Sequence, residues 1–222
     1  LDDVRAEVDV FTAADDEVVT RAATMSRSLP ALADCADAEA LREPLRPPAD
    51  AATRRRVEAA RKSLATAHAL WPAGRYAEGQ KQMTPLLAEA RAIDYRPLLG
   101  EALLQEARIA DSSGDYARAR RAFTDASVAA EAGRDDTTAA LAECGLVWVT
   151  GERLGKYAEA HEEARAAQAK IDRLGHQELL QAQLDAMVAT LFLEEGKYKE
   201  AEERSARVLA IREKALGPDD AA

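Results

Sequence analysis

The feature that most constrains this chain is a short phrase, Gly-x-Tyr-x-x-(Ala/Gly), that occurs four times. It reads GRYAEG from Gly74, GDYARA from Gly114, GKYAEA from Gly155 and GKYKEA from Gly196, so the glycines lie 40, 41 and 41 residues apart. A period this regular specifies one supersecondary unit stacked several times. Each phrase follows one amphipathic stretch and opens another. Its glycine suits a tight turn between two helices, where a side chain would be penalised. Its tyrosine begins the second helix and is placed to wedge into the gap between the pair. A ring buried there contributes about 2–3 kcal/mol by area.

Composition agrees with stacked helices. Of the 222 residues 47% are hydrophobic, many of them alanine, and only 5% are aromatic. Such a chain suits closely packed helices, and no β-branched run of period two argues for a sheet. The expected class is all-α. The net charge of −10 and pI near 5.0 weigh against a nucleic-acid binder, which would show a basic face. They leave an acidic solvated surface, or a preference for basic partner segments. Cys35 and Cys144 are far apart and form no CxxC pattern, which fits a reducing, cytoplasmic setting. No apolar run approaches the roughly 20 residues that span a bilayer. The chain starts at Leu1 without a methionine and stops abruptly at Ala222, so both ends read as cuts in a longer polypeptide.

Residues 1–49 read as an N-terminal helical cap and a proline-containing connector, and residues 50–222 as four helix pairs, at about 51–93, 97–132, 136–174 and 177–216. Leu1, Val4, Val8 and Phe11 share one helical stripe, and Asp15 is placed to cap a second helix that Leu29-Pro30 ends. A short helix is expected from Asp37 to Arg42, with Pro44, Pro47 and Pro48 forbidding a longer one and Asp50 capping the first repeat. Pro85 lies inside the second helix of the first pair and predicts a kink, because a mid-helix proline removes a hydrogen bond at about 3 kcal/mol. Connections of a few residues make neighbouring helices antiparallel.

The phrase and its surroundings resemble the tetratricopeptide repeat. The second repeat carries the pattern best, with Ala107, Gly114, Tyr116, Ala119, Phe123 and Ala126. The fourth has Ala189, Gly196, Tyr198 and Ala201, with Ser205 where an aromatic is usual. The third has Gly155, Tyr157, Ala160 and Ala167, with Ala164 at the aromatic place and Trp148 at the small first-helix position. That tryptophan implies a one-residue shift or a locally wider packing. The first has Ala67, Gly74 and Tyr76, but Gly79 and Met83 replace the alanine and the aromatic. The resemblance implies a right-handed α-α superhelix. The period exceeds the roughly 34 residues usual in that family. The tail VLAIREKALGPDD is similar to the long repeats of kinesin light chains, and departs from them after Asp219-Asp220. The stretches VRAEVDVFTAADDEVVTRA and LPALADCADAEALREPLRPPAD, with the first repeats, resemble the region after the catalytic domain in bacterial serine/threonine kinases of myxobacterial type. This implies a kinase parent, although no Gly-rich phosphate loop, HRD or DFG stands in this chain.

Candidate chemistry is sparse. His68, His161 and His176 share no metal spacing, and Arg165 stands where an HExxH motif from His161 would need its second histidine. GERLG, from Gly151, lacks the Lys-Ser/Thr end of a phosphate loop. No catalytic residue, cofactor or metal is expected. What is left is the groove that the first helices of such pairs line. In the family, positions 13, 10, 6 and 3 before the turn glycine commonly face it. They are Arg61, Leu64, His68 and Trp71; Glu101, Leu104, Arg108 and Asp111; Ala142, Gly145, Val149 and Glu152; Gln183, Ala186, Thr190 and Leu193. The lysine–asparagine clamp with which some members hold a C-terminal carboxylate is not reproduced. Trp71 reads either as a packed spacer between repeats or as an anchor for a partner, and Trp148 as core. The expected function is a non-catalytic protein-interaction scaffold in a larger signalling protein. Its partner would be a protein or peptide, including its own kinase domain in cis, with further pairing through exposed terminal repeats. A small-ligand sensor and a structural or oligomerisation arm are the alternatives.

Overall fold

The computed structural model describes residues 2–29, 45–175 and 177–216, and the regular structure among them is entirely helical. Ten α-helices follow one another: Asp2–Thr12 (α1), Asp16–Ser28 (α2), Ala51–Leu70 (α3), Tyr76–Ile93 (α4), Arg96–Ser112 (α5), Tyr116–Gly133 (α6), Asp136–Trp148 (α7), Tyr157–Leu174 (α8), Glu178–Glu194 (α9) and Tyr198–Leu216 (α10). A π turn, Val149–Arg153, prolongs α7. The expected helix from Asp37 to Arg42, Cys35, His176 and the tail from Gly217 lie outside the described residues. No described helix is long and apolar enough to cross a membrane.

The boundaries follow from local chemistry. Asp15, Asp50, Asp115 and Asp135 cap α2, α3, α6 and α7, each carboxylate accepting from the backbone N–H three residues on. Leu29, ahead of a proline, is extended and ends α2. Pro97 stands in the first turn of α5, where its missing donor is not needed. α4 runs from Tyr76 to Ile93 with Pro85 inside it. Gly74, Gly114, Gly155 and Gly196 all have positive φ, between 65° and 83°, so the recurring phrase is a left-handed helix stop. After three of them the next residue donates to a carbonyl five residues back: Arg75 to Leu70, Asp115 to Ala110 and Lys197 to Phe192. In the third turn Lys156 reaches six back, to Thr150. The π turn has inserted one residue there.

That insertion decides between the two readings of Trp148. The buried small position seven residues before the glycine is Ala67, Ala107 and Ala189 in the other repeats. In the third it is Val147, eight before, and Trp148 is turned outward and only partly buried. Trp148 therefore packs, partly buried, against the edge of the main core and not within it. One residue turns a helix by roughly 100°, so Ala142 and Val149, expected in the groove, are instead fully buried in the core. Leu141 and Trp148 take the outward positions.

Each helix packs on the next in the chain from α3 to α10, and α1 packs on α3. In addition α3 packs on α5, α5 on α7 and α7 on α9, whereas no comparable contact joins α4 to α6, α6 to α8 or α8 to α10 among the described residues. The odd-numbered helices thus form one closely approached layer and the even-numbered helices a second. Three apolar cores result, joined by two-faced helices. Ala65, Ala69 and Leu70 of α3 meet Ala6 and Val10 of α1, while Val57, Ala60 and Ala67 face the main core. Ala140, Cys144 and Val147 of α7 belong to the distal core with Leu184 and Leu191, while Ala142 and Leu146 belong to the main one. The Cys144 thiol is buried, and burial pushes its pKa up to about 12, so it packs as a small apolar group.

The motif residues divide by role. Ala119, Ala160 and Ala201 are buried, as is Phe123. Phe123 lies against the bare backbone of Gly145, where a Cβ would run into the ring. Gly79 replaces alanine because the Ile109 side chain presses on it, at 3.1 Å from where a Cβ would stand. Tyr76, Tyr116 and Tyr157 are partly buried, but Tyr198 is 71% exposed, contrary to the buried wedge expected of it. No further helix pair covers it among the described residues.

Candidate functional site

The inner layer places polar side chains from successive repeats side by side, and most of the candidates bind each other. Arg61 of α3 grips Glu101 of α5 with two hydrogen bonds, at 2.6 and 3.1 Å. The Trp71 indole N–H donates to Ser112 at 2.8 Å, and Asp111 accepts from Arg153 at 3.2 Å. These partners are 40, 41 and 42 residues apart, which is one repeat. The outer layer repeats the device: Arg120 pairs with Glu159 and Arg173 with Glu131, 39 and 42 apart. Solvent screening leaves such exposed pairs little net stability to add, so they set register more than stability. Arg153 also lies over the Trp148 ring at 4.9 Å and the Tyr116 ring at 5.5 Å. Trp71 is packed between repeats in this way, half-buried, with Arg108 stacked over its face at 5.4 Å.

Four of the nine candidates meet around a cavity of about 400 Å³ between α1, α3 and α5: Arg61, His68, Glu101 and Arg108. Leu64, Ala65 and Leu104 give it apolar walls, and Gln105 and Thr138 further polar groups. Asp2 and Asp3, in the first turn of α1, line it as well. Burial first, and then the neighbouring Arg108 charge, hold the His68 imidazole below its ordinary pKa, so it is neutral at physiological pH. Burial alone pulls the Arg108 guanidinium down to about 10.

No protein-family model matches this sequence, and no curated protein matches it. The geometry therefore carries the reading by itself.

The remaining candidates stand apart from the cavity. Glu152, in the π turn, keeps one buried carboxylate oxygen without a hydrogen bond. Gln183 is exposed on α9, and the partly buried Thr190 returns its hydroxyl to Ala186. His161 contacts Glu195 at 2.7 Å and stacks near Phe192. Asp2, Asp3, Ser112 and Arg153 were missed by counting back from the glycines. Ser112 and Arg153 were available to a search for complementary side chains one period apart. The acids of α1 were not, since nothing local states where a cap helix docks.

Proposed function

We propose that the chain is a right-handed helical-repeat solenoid of the tetratricopeptide type and works as a non-catalytic, cytoplasmic scaffold for protein partners, within a larger signalling protein such as a serine/threonine kinase. The observation that carries this reading is the serial packing of α3 on α5, α5 on α7 and α7 on α9. A layer that approaches more closely than its companion lies on the inside of a curve, and its outward side chains face a shared groove. The left-handed Gly-x-Tyr turns and the ion pairs at repeat spacing support the same reading. A partner segment would lie along the groove on a few anchors with a polar rim. Selection of a displayed peptide library against the folded chain tests this. Enriched peptides should lose about tenfold or more in affinity with Glu152→Ala or Gln183→Ala on the inner layer. The exposed outer pair, Glu162→Ala and Arg165→Ala, should leave affinity unchanged. Equal binding to all four variants would overturn the groove.

A further inference from the structure

One of the two arginines at the cavity has no acid in contact. Arg61 is paired with Glu101 and Arg153 with Asp111, but Arg108 makes no ion pair or hydrogen bond among the described residues. Its guanidinium rests on the Trp71 ring and borders the cavity between α1, α3 and α5. A mostly desolvated charge with no acid in contact is unfavourable in the protein alone, and an anion that reaches it relieves this.

The rest of the cavity narrows the anion. Its volume, about 400 Å³, is roughly that of one turn of α-helix, enough for a small molecule or one side chain with its neighbours but not for a helix laid lengthwise. Leu64, Ala65 and Leu104 ask for an apolar body. Arg61 is already held by Glu101 and His68 is neutral, so Arg108 is the one cation there, among the described residues, without an acid in contact. Asp2 and Asp3 bring the lining to three acids against two arginines, so every added negative charge is opposed from the α1 end. A monoanion fits this balance better than a dianionic phosphate. The planar guanidinium fork matches a carboxylate with two parallel hydrogen bonds.

We propose that this cavity binds a single carboxylate carried on an apolar body, with Arg108 as its anchor. The inference goes beyond the groove reading and does not depend on it, because the residues that test the groove lie on the π turn and α9. The carboxylate comes either from a free acid or from an acidic side chain of a peptide.

Calorimetric titration of the folded chain separates these sources, with hexanoate and 3-phenylpropionate in one arm and the N-acetylated, C-amidated peptide Leu-Glu-Leu in the other. Hexanamide and hexyl phosphate are the controls. At least one carboxylate probe should bind about tenfold or more tightly than hexanamide and than hexyl phosphate. Binding confined to the free acids identifies a small-molecule source, and binding confined to the peptide identifies a side-chain source. Arg108→Met should abolish the preference for acid over amide while the melting temperature holds or rises. Asp2→Asn with Asp3→Asn should tighten acid binding. Hexanamide or hexyl phosphate binding as well as the acids, an unchanged acid preference in Arg108→Met, or no uptake of any carboxylate probe at millimolar concentration would each overturn the proposal.

Discussion

At the scale of single residues, packing is decided where a backbone has no side chain to spare. Gly145 receives the edge of Phe123, a rigid ring held between α6 and α7, whereas Gly151 receives the terminal methyl of Leu191. A ring cannot retreat by a bond rotation, and a leucine tip can. Gly145→Ala should therefore cost about 1–3 kcal/mol, and Gly151→Ala less. At 2–4 °C per kcal/mol for a domain of this size, thermal denaturation separates the two. The reverse change is available at Arg134, which ends α6 in a left-handed conformation at φ 58°. Glycine there removes strain of about 1 kcal/mol and should raise the melting temperature by a few degrees. The turn glycines were legible in the sequence because their chemistry is local. Gly145 was not: it was read as a groove position, and its reason for being glycine is an aromatic 22 residues upstream in the chain.

At the scale of elements, the all-helical structure of the described residues and the caps at Asp15 and Asp50 were legible, whereas the caps at Asp115 and Asp135 were not. The phase of one helix also escaped. A π turn adds a single residue without breaking the apolar pattern, and only the odd placement of Trp148 betrayed it. The same segment buries a polar contact. Thr150, fully buried in the turn, donates to Glu163 of α8 at 3.0 Å, and the other Glu163 oxygen is buried without a hydrogen bond. Burial raises the Glu163 carboxyl above its ordinary value near 4.5, the Thr150 and Arg120 contacts opposing the rise only in part. A carboxyl raised on folding binds its proton more tightly in the folded state. The stability it contributes is present below the unfolded value and is lost as pH rises through the folded one. Glu163→Gln removes that loss. The melting temperature of the variant minus that of the unaltered chain should become more positive between pH 4 and pH 7. A difference that stays flat across this range would show Glu163 to be ordinary. Glu131, held low against its burial by Lys170 and Arg173, and Glu195, held low by its hydrogen bond with His161 and by Lys197, change in the opposite sense and cancel in the comparison.

At the scale of the whole molecule, an all-helical chain of neighbouring, mutually packed helices was legible because a repeat writes its architecture many times over. The cavity at Arg108 was legible only in part. Spacing from Gly114 found the arginine, but its lack of an acid depends on Asp111 choosing Arg153 and Glu101 choosing Arg61, choices made between repeats. The same serial logic governs stability. Among the described residues the main and distal cores meet across α7 and the π turn that prolongs it, with opposite faces of α7 entering each. In a stack where every unit touches only its neighbours, loss of one core need not melt the others. Leu184 is fully buried in the distal core, and Leu184→Ala should cost about 2–5 kcal/mol through the cavity it leaves. Under native conditions that cost should appear as faster amide hydrogen exchange in α8, α9 and α10, while α4, α5 and α6 keep their protection. Exchange that quickens equally in both sets of helices would mean that α7 couples the cores into one cooperative unit, and the molecule would then unfold as a single domain despite its repeated construction.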